Sequence, residues 1–140
     1  MKYHFKIHRA GKGFWAECLE LKGIHTQGDT KGELLANMHE ALNLFLNEHP
    51  DSKIVHPLPR TSGKGVQVEV EPQIAFAFYL RRIRLKRGLT QKEVARLMGF
   101  KNLYSYQRLE KAKTANPELS TLAQIKRLFP ELNLEDILVA

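Results

Sequence analysis

Apolar and polar residues alternate from the start of the chain: Tyr3, Phe5 and Ile7 against His4, Lys6 and His8. A period of two predicts a half-buried strand. Ala10-Gly11-Lys12-Gly13 reads as a turn and Phe14–Leu19 as a second strand, so the two form a hairpin. Ile24–Gln27, closed by Gly28, predicts a short third strand. Thr30 and Glu33 have capping-box spacing, in which the hydroxyl accepts one orphan backbone N–H and the carboxylate reaches back to another. Behind them Leu34, Met38, Ala41, Leu42 and Phe45 fall on one helical face. That helix should stop by His49, because Pro50 lacks an N–H and restricts its predecessor. Ile54–His56 and Val66–Val70 are further strand candidates, separated by Pro57, Pro59, Gly63 and Gly65. Residues 1–72 therefore predict a small antiparallel sheet with one covering helix and one sheet face left open.

From Gln73 onward the texture is helical. Ile74–Arg87 predicts a first helix ended by Gly88, and Thr90 caps a second from Gln91 to Met98, ended by Gly99. Asn102 or Lys101 opens a third, running to about Glu110. Asn116-Pro117 starts a fourth that continues to Leu128. Asn133 caps a short fifth from Leu134 to Leu138, with Glu135 and Asp136 near its positive end. The fold class expected is α+β, with domains at 1–72 and 73–140.

Charge separates the same two halves. The 140 residues carry a net +7. Residues 1–72 hold 9 basic and 9 acidic side chains, whereas 81–113 alone hold 11 and 2. A basic block so confined points to a polyanion partner, most often nucleic acid, although a solvated helical face has the same composition. No run of about 18 apolar residues is present to span a membrane. The first residues alternate rather than forming an apolar block, so no signal peptide is read. With Cys18 the single cysteine, the expectation is a cytoplasmic protein.

Gly88-Leu89-Thr90-Gln91-Lys92-Glu93-Val94-Ala95-Arg96-Leu97-Met98-Gly99, continued by Ser105-Tyr106-Gln107-Arg108-Leu109-Glu110, resembles a phage-repressor-type helix-turn-helix. Val94, Ala95, Leu97 and Met98 would form the buried face of its second helix, with Ala95 small where helices cross. Gly99 permits the positive φ of a sharp turn. Tyr106 and Leu109 would pack the third helix inward, and Leu119, Leu122, Ile125, Leu128 and Leu134 would close the bundle. The turn Phe100–Leu103 is one residue longer than in the commonest repressors. It leaves open which of Asn102, Leu103 and Tyr104 reaches a base edge. The resemblance implies a third helix in the major groove, with Arg108 on guanine and Asn102 on adenine. Gln91 would bond a phosphate, and Lys101, Lys111 and Lys113 would position the domain. The expected DNA-binding set is Thr90, Gln91, Lys101, Asn102, Tyr104, Ser105, Gln107, Arg108 and Lys111. One such domain makes few contacts, so a dimer on a two-fold site is expected.

The first half resembles the HicB antitoxins of HicAB toxin–antitoxin systems over about residues 1–60. Tyr3-His4-Phe5, Gly13-Phe14-Trp15-Ala16, Thr26-Gln27-Gly28-Asp29-Thr30, the helix with Ala41, Leu42 and Phe45, and Ile54-Val55-His56-Pro57-Leu58-Pro59 carry the likeness. It implies a truncated ribonuclease-H-like fold and a partner, a small basic HicA-type mRNA-cleaving ribonuclease. The antitoxin would occlude this toxin while the second domain represses the shared operon. Acidic residues near the open sheet face would favour a basic partner. The candidate contacts are Trp15, Glu17, Glu20, Asp29 and Glu69. Trp15 is otherwise a core residue, and the acids are otherwise ordinary solubilising charges. Val66–Val70 is an alternative surface for pairing two copies at a sheet edge. A different function class also fits: a stand-alone repressor whose first domain senses a small ligand.

Catalysis is not expected. Two-metal hydrolysis needs clustered carboxylates holding cations about 4 Å apart. The first strand carries no acid, and Glu17, Glu20 and Asp29 are scattered. The histidines 4, 8, 25, 39, 49 and 56 include no His-x-x-x-His pair beyond His4 and His8 on one strand face, which lack further partners, so no metal or cofactor is expected. Cys18 reads as a small core residue.

Overall fold

A computed structural model describes residues 1–49 and 51–138. Pro50, read above as a helix stop, lies outside the described residues. Two units separate among the described residues, one formed by Met1–Leu46 with His56–Glu71, the other by residues 47–55 with 72–138.

The first unit is a four-stranded antiparallel sheet with one helix. β1 (Lys2–Ala10) and β2 (Gly13–Cys18) form the hairpin that the alternation predicts, with Phe5 opposite Cys18 and Ala10 opposite Gly13. β3 (His25–Gly28) pairs with β2, and β4 (Val66–Glu69) returns antiparallel to β1, giving the order β3-β2-β1-β4. Opposed residues share a face. Tyr3, Phe5, Ala16, Cys18 and Val68 line the inner one, where they are buried with Leu34, Met38, Leu42 and Leu46 of α1 (Lys31–Leu46). Burial pushes the Cys18 thiol above its ordinary range, as befits a core residue.

The helix stripe differs from the sequence reading. Ala41 and Phe45 are only half-buried, whereas Asn43 and Leu46 are buried. Asn43 is tolerated inside because every bond it needs is made. Its amide donates to His39 O at 2.9 Å and Glu69 O at 3.1 Å, and its oxygen accepts Glu71 N–H at 2.8 Å. The helix thereby fixes where β4 ends. The Thr-Gln-Gly-Asp-Thr phrase also finds its physical reason. Thr30 Oγ1 accepts Glu33 N–H at 3.1 Å, but Glu33 returns to Asp29 N–H at 3.2 Å rather than to Thr30. A Cβ on Gly28 would lie 2.6 Å from Leu34 N, so only glycine lets β3 pass the start of α1.

Ile54–His56, expected as a strand, is irregular backbone in which Ile54 and Val55 are exposed. Pro57 and Pro59 follow immediately and cannot donate to a ladder.

The second unit is helical: α2 (Pro72–Lys86), α3 (Gln91–Leu97), α4 (Leu103–Gln107), α5 (Leu119–Leu128) and α6 (Leu134–Leu138). α2 is buried almost all round, from Ile74 to Leu80 and again at Ile83, which makes it the axis of the unit. α5 begins at Leu119 after N-cap Glu118, later than the Asn116-Pro117 start expected. Leu119 is 84% exposed and does not close the core. Ile125, Phe129, Leu132 and Ile137 do. Asn133 Oδ1 accepts Asp136 N–H at 3.0 Å, so α6 is capped as expected. Among the described residues no helix is long and apolar enough to cross a membrane.

Candidate nucleic-acid interface

α3 begins at a complete capping box. Thr90 Oγ1 accepts Glu93 N–H at 3.1 Å, and Glu93 accepts Thr90 N–H at 3.2 Å. Val94 and Ala95 are buried, and Met98 follows them inward. Leu97, expected on that buried face, is instead 56% exposed. A seven-residue helix resting on a small residue turns only a narrow face to its neighbours. Gly99, at φ 73°, reverses the chain, and Phe100 N–H bonds Ala95 O at 2.9 Å. This is the glycine C-cap geometry that ends a helix with a sharp turn.

Asn102 is the N-cap of α4. Its Oδ1 accepts both Ser105 N–H at 2.9 Å and Ser105 Oγ–H at 3.0 Å. Both lone pairs of that oxygen are engaged, so Asn102 holds the helix start. After five residues α4 tightens into a 3-10 turn, Arg108–Glu110. Tyr106 and Leu109 point inward, as expected.

Beneath this surface lies a buried polar network centred on Glu110, itself 1% exposed. Arg84 grips it through two bonds, Nε at 2.7 Å and Nη2 at 3.0 Å, while its Nη1 donates to Leu89 O at 3.0 Å. Tyr106 Oη–H donates to the same carboxylate. Gln91 Nε2 donates to it at 3.4 Å, and Gln91 Oε1 accepts in turn from Gln107 Nε2 at 3.2 Å. Burial, and then Glu110, drive the Tyr106 hydroxyl far above its ordinary range. For Arg84 burial acts downward, but Glu110 outweighs it and raises the guanidinium. The network ties α2, α3 and the end of α4 together. It also revises the charge reading: Arg84 and Arg81, two of the cations in the basic block, are buried. Arg81 Nη2 lies 3.4 Å from Glu48.

Of the nine residues expected to meet DNA, Lys101, Tyr104, Arg108 and Lys111 are exposed. Thr90 and Asn102 are exposed but serve as caps, Ser105 is bonded to Asn102, and Gln91 and Gln107 are bonded to each other. Arg96, Lys92 and Lys113 add exposed positive charge. Leu103, one of the three residues that the turn left open for base contact, is 38% exposed.

The candidates in the first unit share less. Trp15 stacks on His8 with ring centroids 4.1 Å apart, and His8 Nε2 lies 3.4 Å from Glu17. These groups stand on the sheet face away from α1, where Trp15, His25, Thr26 and Gln27 line an open depression. Trp15 is thus half-buried rather than core. Glu69 is half-buried on the same face, opposite Lys2. Asp29 is exposed at the head of α1. Glu20 must be corrected: it is a structural acid. Its carboxylate accepts His4 N–H at 2.8 Å and Arg60 N–H at 3.1 Å and sits 2.8 Å from His4 Nδ1. Burial acts upward on this carboxyl, but the hydrogen bonds outweigh it and hold the group below the ordinary range. Among the described residues, no group of three or more His, Cys, Asp or Glu side chains could hold a metal ion.

No curated protein matches the chain. The helix-turn-helix family matches residues 80–137. That span holds the two capped helices, the Gly99 turn and the exposed cations just described, and it is a helix-turn-helix domain of the kind that DNA-binding transcriptional regulators carry.

Proposed function

We propose that the chain is a HicB-type antitoxin and autorepressor. In this reading the helix-turn-helix unit binds the operator of its own operon as a dimer. The sheet unit, taken as the family's truncated ribonuclease-H-like domain, occludes a small basic ribonuclease of HicA type. One observation carries the proposal: a helix-turn-helix with a basic exposed rim shares its chain with a four-stranded antiparallel sheet whose inner face packs on a helix. The element order β-β-β-α-β and the Thr26–Thr30 phrase at its turn support the resemblance on which the antitoxin half depends. On DNA, Arg108 reads a base, while Lys101, Lys111 and Lys113 neutralise phosphates. Each phosphate neutralised adds about −0.9 to the slope of log affinity against log salt. On the protein side, Glu17 lies beside the His8–Trp15 stack and Glu69 stands farther along the same face opposite Lys2, so a basic partner would meet both acid and an aromatic there.

Co-purification with the product of the adjacent gene tests both halves, followed by RNA cleavage with and without this chain. A stable complex and suppressed cleavage are the expected result. If no small basic partner is retained, the antitoxin half is wrong. The DNA-binding half then stands, with the first unit as a ligand sensor. Metal-dependent RNA cleavage by this chain alone would overturn the non-catalytic assignment.

A further inference from the structure

The surface of α4 is unusual for what it lacks. The polar side chains best suited to hydrogen-bonding base edges are each engaged within the domain through at least one of their polar atoms. Asn102 Oδ1 caps the helix, Ser105 bonds that oxygen, and Gln107 and Gln91 are bonded to each other above Glu110. What projects outward is Leu103, Tyr104 at 63% exposure, and Arg108. The Arg108 guanidinium sits 5.8 Å from the centroid of the Tyr104 ring, close enough for cation–π attraction to restrain that ring. Lys101, Arg96 and Lys111 of the same helix-turn-helix carry exposed positive charge, so the occupant that fits is a polyanion that presents an apolar feature to this pair.

In the major groove one base-pair feature is apolar: the C5-methyl group of thymine. We propose that this chain selects its DNA site largely by thymine methyl contacts to Leu103 and Tyr104, with Arg108 supplying the hydrogen-bonded contact to guanine. The inference rests on the proposed seating of α4 in the major groove and sharpens it by naming what is read. Sites would then be rich in T·A pairs at the positions facing Leu103 and Tyr104, flanking a single G·C pair.

The test uses the full chain and a duplex pool with a randomised core. The highest-affinity duplex is resynthesised with deoxyuridine replacing each thymidine in turn, which deletes one methyl and leaves base pairing intact. Binding should weaken about fourfold for each contacted methyl removed, the amount expected for one buried methylene-sized group. Leu103→Ala and Tyr104→Ala should each bind the thymidine and deoxyuridine duplexes equally at one position, while Leu103→Met and Tyr104→Phe keep the preference. Both side chains are exposed, so the variants should melt like the parent. Equal binding of both duplexes by the parent overturns the methyl assignment and leaves the helix-turn-helix reading intact. If the pool enriches no sequence, the seating of α4 falls with it.

Discussion

The side chains of Glu20 in the sheet unit, 4% exposed, and Glu110 in the helical unit, 0% exposed, do different work. Glu20 in the sheet unit accepts two backbone N–H groups, from His4 and Arg60, besides the His4 ring. It stands at the end of β2, where ladder bonds run out, and satisfies donors that would otherwise be orphaned. Glu110 in the helical unit gathers side chains instead: Arg84 from α2, Gln91 from α3 and Tyr106 from α4. Its partners belong to the helices that carry the exposed face of α4. The comparison teaches that a buried acid serving backbone secures a fold locally. One serving side chains from three helices also sets the orientation of the surface they carry.

The largest way to sharpen that contrast is Glu110→Ala. It leaves the Arg84 guanidinium buried without its carboxylate. Removing one partner of a buried pair costs about 3–5 kcal/mol. Urea unfolding should show that loss, and DNA binding should fall further than the stability change explains, because Gln91 and Gln107 lose their anchor. Parental DNA affinity in the folded fraction would sever the link between network and surface. Glu20→Gln should cost less, roughly 1–3 kcal/mol, the penalty for weakened partners of buried donors, with DNA binding untouched. The effect has a definite pH sign. A carboxyl held below its ordinary value stabilises the fold above the unfolded value of about 4.3, and that stability is lost as pH falls through the folded value. Thermal melts of parent and Glu20→Gln should therefore converge in acid and separate toward neutrality.

Legibility in the sequence follows the same division. Period-two alternation exposed β1, and the capping boxes and glycines exposed α1, α3 and the turn, because each is a local pattern tied to local geometry. Ile54–His56 misled because a strand needs a partner, which two adjacent apolar residues do not specify. Leu97 and Leu119 misled for a related reason: periodicity assigns a face, whereas burial depends on what the neighbouring helices cover. In the candidate site, Arg108 and the lysines were readable as charge. Glu20 and Arg84 were not readable as structural groups, since the partners that occupy them lie 16 and 26 residues away, whereas Asn102, whose partner is 3 residues on, was readable as a helix start. A polar residue counted as available from sequence is available only after its bonds are known.

Gly28 breaks the sheet side of the comparison without touching any acid. Gly28→Ala forces a methyl to within 2.6 Å of Leu34 N, a backbone atom that cannot swing aside. Overpacking of this kind costs about 1–3 kcal/mol. Hydrogen exchange should rise in β3 and at the start of α1, and parental protection there would show that the two elements separate easily.

On the DNA side Arg108→Ala should cost about 1–3 kcal/mol and loosen choice at one base pair, whereas Lys101→Ala should weaken all duplexes alike and reduce the salt slope. Titration of matched and mismatched duplexes at two salt concentrations separates these outcomes. An Arg108→Ala variant that weakened every duplex equally would move Arg108 to the phosphates.

The smallest effect belongs to an acid that is not buried. Glu131 is held below the ordinary carboxylate range by hydrogen bonds from Arg87, at 2.7 and 3.0 Å. Its geometry is as good as that of Glu110, yet both partners are substantially exposed. Water and salt screen such a pair, so Glu131→Ala should cost less than about 1 kcal/mol and nothing measurable in high salt. Arg87 also lies 4.9 Å from the centroid of the Phe129 ring, a contact that survives loss of the carboxylate. Arg87→Ala should therefore destabilise more than Glu131→Ala. Equal costs for the two variants would place the whole contribution of Arg87 in the ion pair and none in its cover over Phe129.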